Sequence, residues 1–219
     1  KWDQGVALMV GDYLFALAAG EMALAPDPRV IQTFSEAVMT ISASELHPVM
    51  TTTPTDVAMQ QYYAKIGGKT AALFEAGTAA GMICGGGTPE QIKAAAQYGY
   101  DVGLAFQMID DVLDFVADEA TLGKPAGNDL REGTITLPLI MAVSTGNANG
   151  LANILDDDLT EHQVAQTIEY VKKLGGIEKS LAEARRVMQR GLDALTIFPD
   201  SAAKELLHDI AHYTLERHF

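Results

Sequence analysis

Between Thr88 and Ala117 the apolar period never breaks, and no proline follows Pro89. Thr88 is an N-cap, Pro89 suits the first helical position, and Glu90 puts an acid in the first turn. At 1.5 Å per residue such a helix is about 40 Å long. A helix of that length with one continuous apolar side needs long neighbours along that side. That requirement constrains the fold more than any other feature of the chain.

The neighbours read as helices too. Gln4 to Leu24 is apolar and Ala-rich, stopped by Pro26 and Pro28, and Arg29 to Leu46 is stopped by Pro48. Thr55 to Cys84 is a long helical stretch, with a break expected near Gly67-Gly68 and a stop at Gly85-Gly86-Gly87. Ile135 to Ser144, Thr160 to Leu174, Ile177 to Leu195 and Ser201 to Arg217 follow. No alternating run is long enough for a sheet, and no linker or repeat divides residues 1–219. The expectation is a single all-α domain, a bundle of long helices. The small-residue run Ala71 to Cys84 would permit close helix contact, including a homodimer interface.

Charge narrows the partners. Fifteen Lys+Arg against 29 Asp+Glu give a net charge of -14, which excludes a basic nucleic-acid footprint. One cysteine, Cys84, cannot form an intrachain disulfide. A buried thiol and a cytoplasmic location are expected. Val6 to Leu24 is the longest candidate membrane span, but Asp12 and Glu21 interrupt it, so a buried core helix and no transmembrane segment are expected. The opening KWDQGVALMV starts inside or just before a helix, as if an N-terminal portion precedes it.

The chemistry concentrates in FQMIDDVLDF, Phe106 to Phe115. Residues three and four apart share a helical face. Asp110 and Asp114 stack, Asp111 lies beside them, and Gln107 sits one turn earlier. Ala105, Ile109, Val112, Leu113 and Val116 form the opposite, core face. The acidic stripe contains no Lys or Arg, and a loop carrying Lys124 and Arg131 follows it. Hard divalent cations with oxygen ligands suit this pattern, and Mg²⁺ keeps positions for phosphate oxygens. An acidic protein can thereby hold a diphosphate, with lysines touching the phosphate directly.

DDVLD at Asp110 to Asp114, preceded by Phe106-Gln107, resembles the second aspartate-rich motif of the trans-type polyprenyl diphosphate synthases. So do GKPAGNDLREGTITLP at Gly123 to Pro138, GDYLFALA at Gly11 to Ala18 and KIGGKTAALF at Lys65 to Phe74, in order and separation. The resemblance covers essentially the whole chain, as the C-terminal two-thirds of a family member. It implies an isoprenoid-synthase-type bundle, apparently without its N-terminal helices, that condenses isopentenyl diphosphate with an allylic prenyl diphosphate. The implied chemistry is Mg²⁺-assisted ionisation, elongation and proton loss. By the same resemblance Asp110, Asp111 and Asp114 are metal ligands. Lys69, Thr70, Gln107 and Lys124 are catalytic and contact the substrate diphosphate. A homodimer is implied as well.

The chain departs from the family pattern in one major respect. The first aspartate-rich motif and its arginine pair, expected upstream of GDYL, are absent from these 219 residues, and Asp156-Asp157-Asp158 is no substitute. These residues alone are therefore expected to be inactive. Three rivals remain open: a non-catalytic subunit of a heteromeric synthase, a terpene cyclase, and a di-iron bundle using Glu205 and His208.

Overall fold

A computed structural model describes residues 3–116, 126–145 and 159–217. Its helices are α1 (Gln4–Ala23), α2 (Pro28–Ser44), α3 (Thr55–Ile66), α4 (Ala72–Cys84), α5 (Pro89–Val116), α6 (Asn128–Arg131), α7 (Leu137–Val143), α8 (Glu161–Lys173), α9 (Gly176–Ala194) and α10 (Ala202–Leu215). Among the described residues there is no strand. The expected all-α architecture is what the chain adopts.

Side-chain caps start several helices. Asp3 accepts from Val6 N, Asp27 from Arg29 N and Ser201 from Lys204 N. Thr160 and Gln163 form a reciprocal capping box. Gly86 ends the turn after α4 with φ +73°, a left-handed conformation that glycine adopts without penalty.

Helix α5 is the axis. It packs against α4 and α9 along much of its length, and against α7 and α10 elsewhere. Leu104, Met108, Ile109, Val112 and Phe115 of α5 join Tyr62 and Ile66 of α3 and Leu137 and Ile140 of α7 in the main core. Tyr98, Val102 and Ala105 join Met188, Leu195 and Ala211 in a second.

Part of the small-residue run of α4 packs inside the chain. A Cβ on Gly99 of α5 would lie 2.5 Å from the Phe74 carbonyl oxygen of α4, and one on Gly103 would lie 2.6 Å from Ala71 Cα. Ala72 and Ala76 meet Ala37 of α2. Gly99→Ala is therefore expected to cost about 1–3 kcal/mol, because backbone cannot yield as a side chain can. Gly77 of α4 has nothing within 4 Å of a built Cβ. Gly77→Ala should be neutral or stabilising by up to about 1 kcal/mol. Chemical denaturation of the two variants checks the contrast.

Three expectations need correction. Residues 67–71 do not break the helix: Gly67–Ala71 is a π-helical segment linking α3 to α4. Gly67 and Gly68 are needed there for space, since a Cβ on Gly67 would lie 2.5 Å from the Tyr100 hydroxyl. Helix α1 is not a buried core helix, because none of its residues is buried. It packs chiefly on α2, with Phe15 and Phe34 ring centroids 5.9 Å apart, and a helix buries only the face its neighbours cover. By length and composition alone it is apolar enough to cross a membrane. Cys84 is exposed rather than buried, at the end of α4 where the chain turns. Phe15 and Phe74 are exposed as well.

Candidate diphosphate and metal site

Three elements converge beside the C-terminal third of α5. The π segment carries Lys69 and Thr70, α5 carries Gln107 and the aspartates, and residues 126–136 form the facing loop. Between them is a cavity of about 220 Å³ with Lys65, Lys69, Gln107, Asp110, Asp111, Asp114 and Asp129 on its wall. Ile66, Ile135 and Tyr62 supply apolar surface. A larger hollow, about 570 Å³, lies between α2, the π segment and α4. Among the described residues it has no lysine or arginine on its wall, so it lacks the cations a phosphate needs.

The three motif aspartates do not share one environment, which corrects the picture of a plain acidic stripe opposite a core face. Asp110 is exposed to the cavity mouth. Asp111 and Asp114 are each only 4% exposed, because α3 and the 126–136 loop close over their side of the helix.

Asp114 organises the loop. Its carboxylate accepts from Asn128 N at 3.2 Å and Asp129 N at 3.0 Å, and its carbonyl accepts from Gly127 N at 2.7 Å. An acid at the amide end of α6 is electrostatically favourable. Gly127 has φ +80°, and a Cβ there would meet Val164 Cγ1 at 2.7 Å, so the turn requires glycine on both counts. The result brings Asp129 to the cavity wall.

Asp111 is the hub of a buried network. The Tyr62 hydroxyl donates to its Oδ2 at 2.6 Å, and Gln107 Nε2 donates to its Oδ1 at 2.9 Å. Thr70 Oγ1 donates to Gln107 Oε1 at 2.7 Å. A carboxylate at 111 takes the amide nitrogen of Gln107, which leaves the amide oxygen for Thr70. The π segment and the aspartate helix are thus joined by one directed chain of hydrogen bonds.

Burial raises the Asp111 carboxyl to about 7. The two hydrogen bonds favour the ionised form but do not outweigh burial, and the charges of Asp129 and Asp110 add to the rise. Burial also pushes the Tyr62 phenol well above its usual range, helped by the Asp111 charge.

A pH prediction follows for the metal-free protein. The unfolded chain releases the Asp111 proton near its ordinary value of 3.8, the folded chain near 7. Between those values the folded state binds more protons, so this group's stabilising contribution is complete below about 4 and lost as pH rises to about 7. The difference is on the order of 4 kcal/mol. Denaturation in a chelator from pH 4 to 8 should show that slope, and Asp111→Asn should flatten it.

Lys69, Gln107, Asp110, Asp111 and Asp114 are brought together as expected, and Thr70 joins through Gln107. Lys124 and the run Asp156 to Asp158 lie outside the described residues. Arg131 turns away, pairing with Glu161 at 2.7 Å and the Ala126 carbonyl. Among the described residues no three His, Cys, Asp or Glu converge on one point, and the Glu205–His208 pair of the di-iron reading forms no such group. Sequence reasoning left out Lys65, Tyr62 and, as a cavity-wall residue, Asp129. Lys65 was legible, one turn before Lys69 on the same face. Tyr62 was not, because its partner lies 49 residues away.

Against known proteins, the polyprenyl synthetase family profile matches residues 1–171. The chain is 31% identical over its whole length to heptaprenyl diphosphate synthase component 2 of Bacillus subtilis (strain 168), and spans 63% of that protein. It is 33% identical to octaprenyl diphosphate synthase of Escherichia coli (strain K12), with 99% of this chain and 68% of that one covered. The crystal structure of heptaprenyl diphosphate synthase from Staphylococcus aureus superposes with a TM-score of 0.90 at 29% identity, covering 100% of this chain and 69% of that one. A polyprenyl synthase from Caulobacter crescentus CB15, complexed with calcium and isoprenyl diphosphate, gives 0.89 at 30% identity, covering 97% and 66%. The chain therefore spans about two-thirds of the proteins it matches. Its match to the family profile over most of its length, the four ordered motifs and the shared all-α fold agree: this chain belongs to the polyprenyl synthetase family.

Proposed function

We propose that the full-length protein is a trans-prenyltransferase that condenses isopentenyl diphosphate with an allylic prenyl diphosphate. The observation that carries this reading is the cavity beside α5, where Lys65 and Lys69 share one wall with Asp110, Asp111 and Asp129. Cations and carboxylates around one small cavity suit a polyanion that arrives with a divalent metal.

The donor set fits Mg²⁺. It is all hard oxygen, and Mg²⁺ takes only one or two protein carboxylates, filling its other positions with water and phosphate. Asp110 and Asp129 would hold the metal, with Asp111 contributing charge from behind. When bound, Mg²⁺ supplies the electrostatic stabilisation that the departing diphosphate needs.

The chain's own groups do the rest. The Lys69 and Lys65 ammonium groups donate to phosphate oxygens, and Lys124 is proposed to do the same from its loop. Thr70 and Gln107 present oriented polar atoms beside them. Ile66, Ile135 and the Tyr62 ring exclude water from that side of the cavity. We extend the reading to a cytoplasmic homodimer, which sedimentation and fractionation of the full-length protein would check.

Incubating full-length protein with radiolabelled isopentenyl diphosphate, an allylic primer and Mg²⁺ should give a longer, solvent-extractable product, whereas residues 1–219 alone should give none. Absence of product from the full-length protein would sink the enzyme reading. A second reading, one subunit of a heteromeric synthase, is favoured by the Bacillus relative being named a component. It predicts activity only after a partner chain is added.

A further inference from the structure

We propose that Tyr62 is a positioning residue for diphosphate binding: its phenol holds Asp111, Asp111 holds Gln107, and Gln107 sets the hydroxyl of Thr70. The proposal rests on the function proposed above and goes further, because it assigns a role to a residue outside the aspartate motif and its lysines.

The geometry is specific. Tyr62 is almost wholly buried in α3, and its hydroxyl reaches across to Asp111 Oδ2 on α5 at 2.6 Å. A core aromatic at this point needs no hydroxyl: phenylalanine would fill the same volume. Burying a hydroxyl and a carboxylate together is costly unless each satisfies the other. Here each does. Asp111 has one oxygen on Tyr62 and the other on Gln107, so its carboxylate plane is held from both ends. That in turn fixes which end of the Gln107 amide faces Thr70 at 2.7 Å. Outer partners of metal- and phosphate-binding groups commonly act this way, orienting residues they surround.

The next residue provides an internal control. Tyr63 is also a partly buried phenol on α3, but its hydroxyl donates to Glu183 of α9, away from the cavity. Loss of the hydroxyl at 62 removes one hydrogen bond between α3 and α5, and loss at 63 removes two between α3 and α9, to Glu183 and from Arg186. Only loss at 62 disturbs the network that reaches Thr70.

The test compares Tyr62→Phe and Tyr63→Phe in the full-length protein, titrated calorimetrically with inorganic pyrophosphate in Mg²⁺, alongside melting curves. Tyr62→Phe should weaken pyrophosphate binding by about tenfold or more, and Tyr63→Phe should bind as wild type whatever its melting temperature. A Tyr62→Phe protein that binds as tightly as wild type overturns the proposal and leaves the prenyltransferase reading standing. Wild-type protein that fails to bind pyrophosphate overturns both. Should Tyr62→Phe fold poorly, 3-fluorotyrosine at 62 keeps the hydroxyl. Its ¹⁹F resonance should move on adding Mg²⁺ and pyrophosphate, while that of 3-fluorotyrosine at 63 stays. An unmoved resonance at 62 in a protein that binds overturns the proposal.

Discussion

Asp110→Asn in the full-length protein is expected to lower kcat/KM for chain elongation at least about 100-fold, a loss of about 2.7 kcal/mol in transition-state stabilisation. Of the three motif aspartates it alone is exposed, at the wall that also carries Lys69. Asparagine keeps the shape and one oxygen but removes the negative charge. A hard divalent cation loses its strongest donor by that change. An exposed side chain adds little to folding, so the melting temperature should hold. Radiolabel incorporation at several Mg²⁺ concentrations, together with a melting curve, separates the outcomes. Near-wild-type turnover at all Mg²⁺ concentrations would remove Asp110 from the site.

The largest stability effect is expected far from the cavity. Asp101 of α5 is wholly buried, and Arg190 of α9 donates to it from Nε at 3.1 and 3.0 Å and from Nη2 as well. Gln97 Nε2 adds a bond to Asp101 Oδ2 at 2.9 Å. Arg190→Met leaves a buried carboxylate with one neutral donor, and should cost about 3–5 kcal/mol. For a chain of this size that is on the order of 10 °C in Tm. Asp101→Ala should cost less. Arg190 is 46% exposed, so its guanidinium can turn to water once its partner is gone. Thermal and urea denaturation of both variants gives the comparison. Equal losses would mean that the pair's value lies in packing against Gly191, where a Cβ would meet Asp101 Cβ at 2.9 Å.

Much of the fold was legible because its signals are local. Thr88-Pro89-Glu90 marks where α5 begins, and α8 begins at Thr160, where the sequence places a helix start. The core face Ala105, Ile109, Val112 and Leu113 is buried. The grouping of Lys69, Gln107 and the aspartates was also readable, from the resemblance of their motifs to the family pattern.

What escaped is what neighbours decide. Asp111 and Asp110 are adjacent and chemically identical, yet one is sealed under α3 and the other meets the cavity mouth. Asp114 has the spacing of a metal ligand, but the loop amides of Asn128 and Asp129 sit on its carboxylate. Gly67-Gly68 reads locally as a helix break. Tyr100 and Ser44 crowd it closely enough that only glycine fits, and the chain continues as a π segment. The apolar residues of α1 read as core, but burial requires a covering partner, and α2 covers only one side.

The sequence by itself determined the helices, most of their stops, the family and which side chains could share a helical face. The helices and their faces follow from 3.6-residue geometry and local chemistry, and the family from motifs whose residues and order resemble its pattern. Only the tertiary structure decided which aspartate is open, which holds a loop and which is the hub joining Tyr62, Gln107 and Thr70. Burial and hydrogen-bond partners come from segments tens of residues away, and the same carboxylate ionises, binds or merely supports according to what is packed against it.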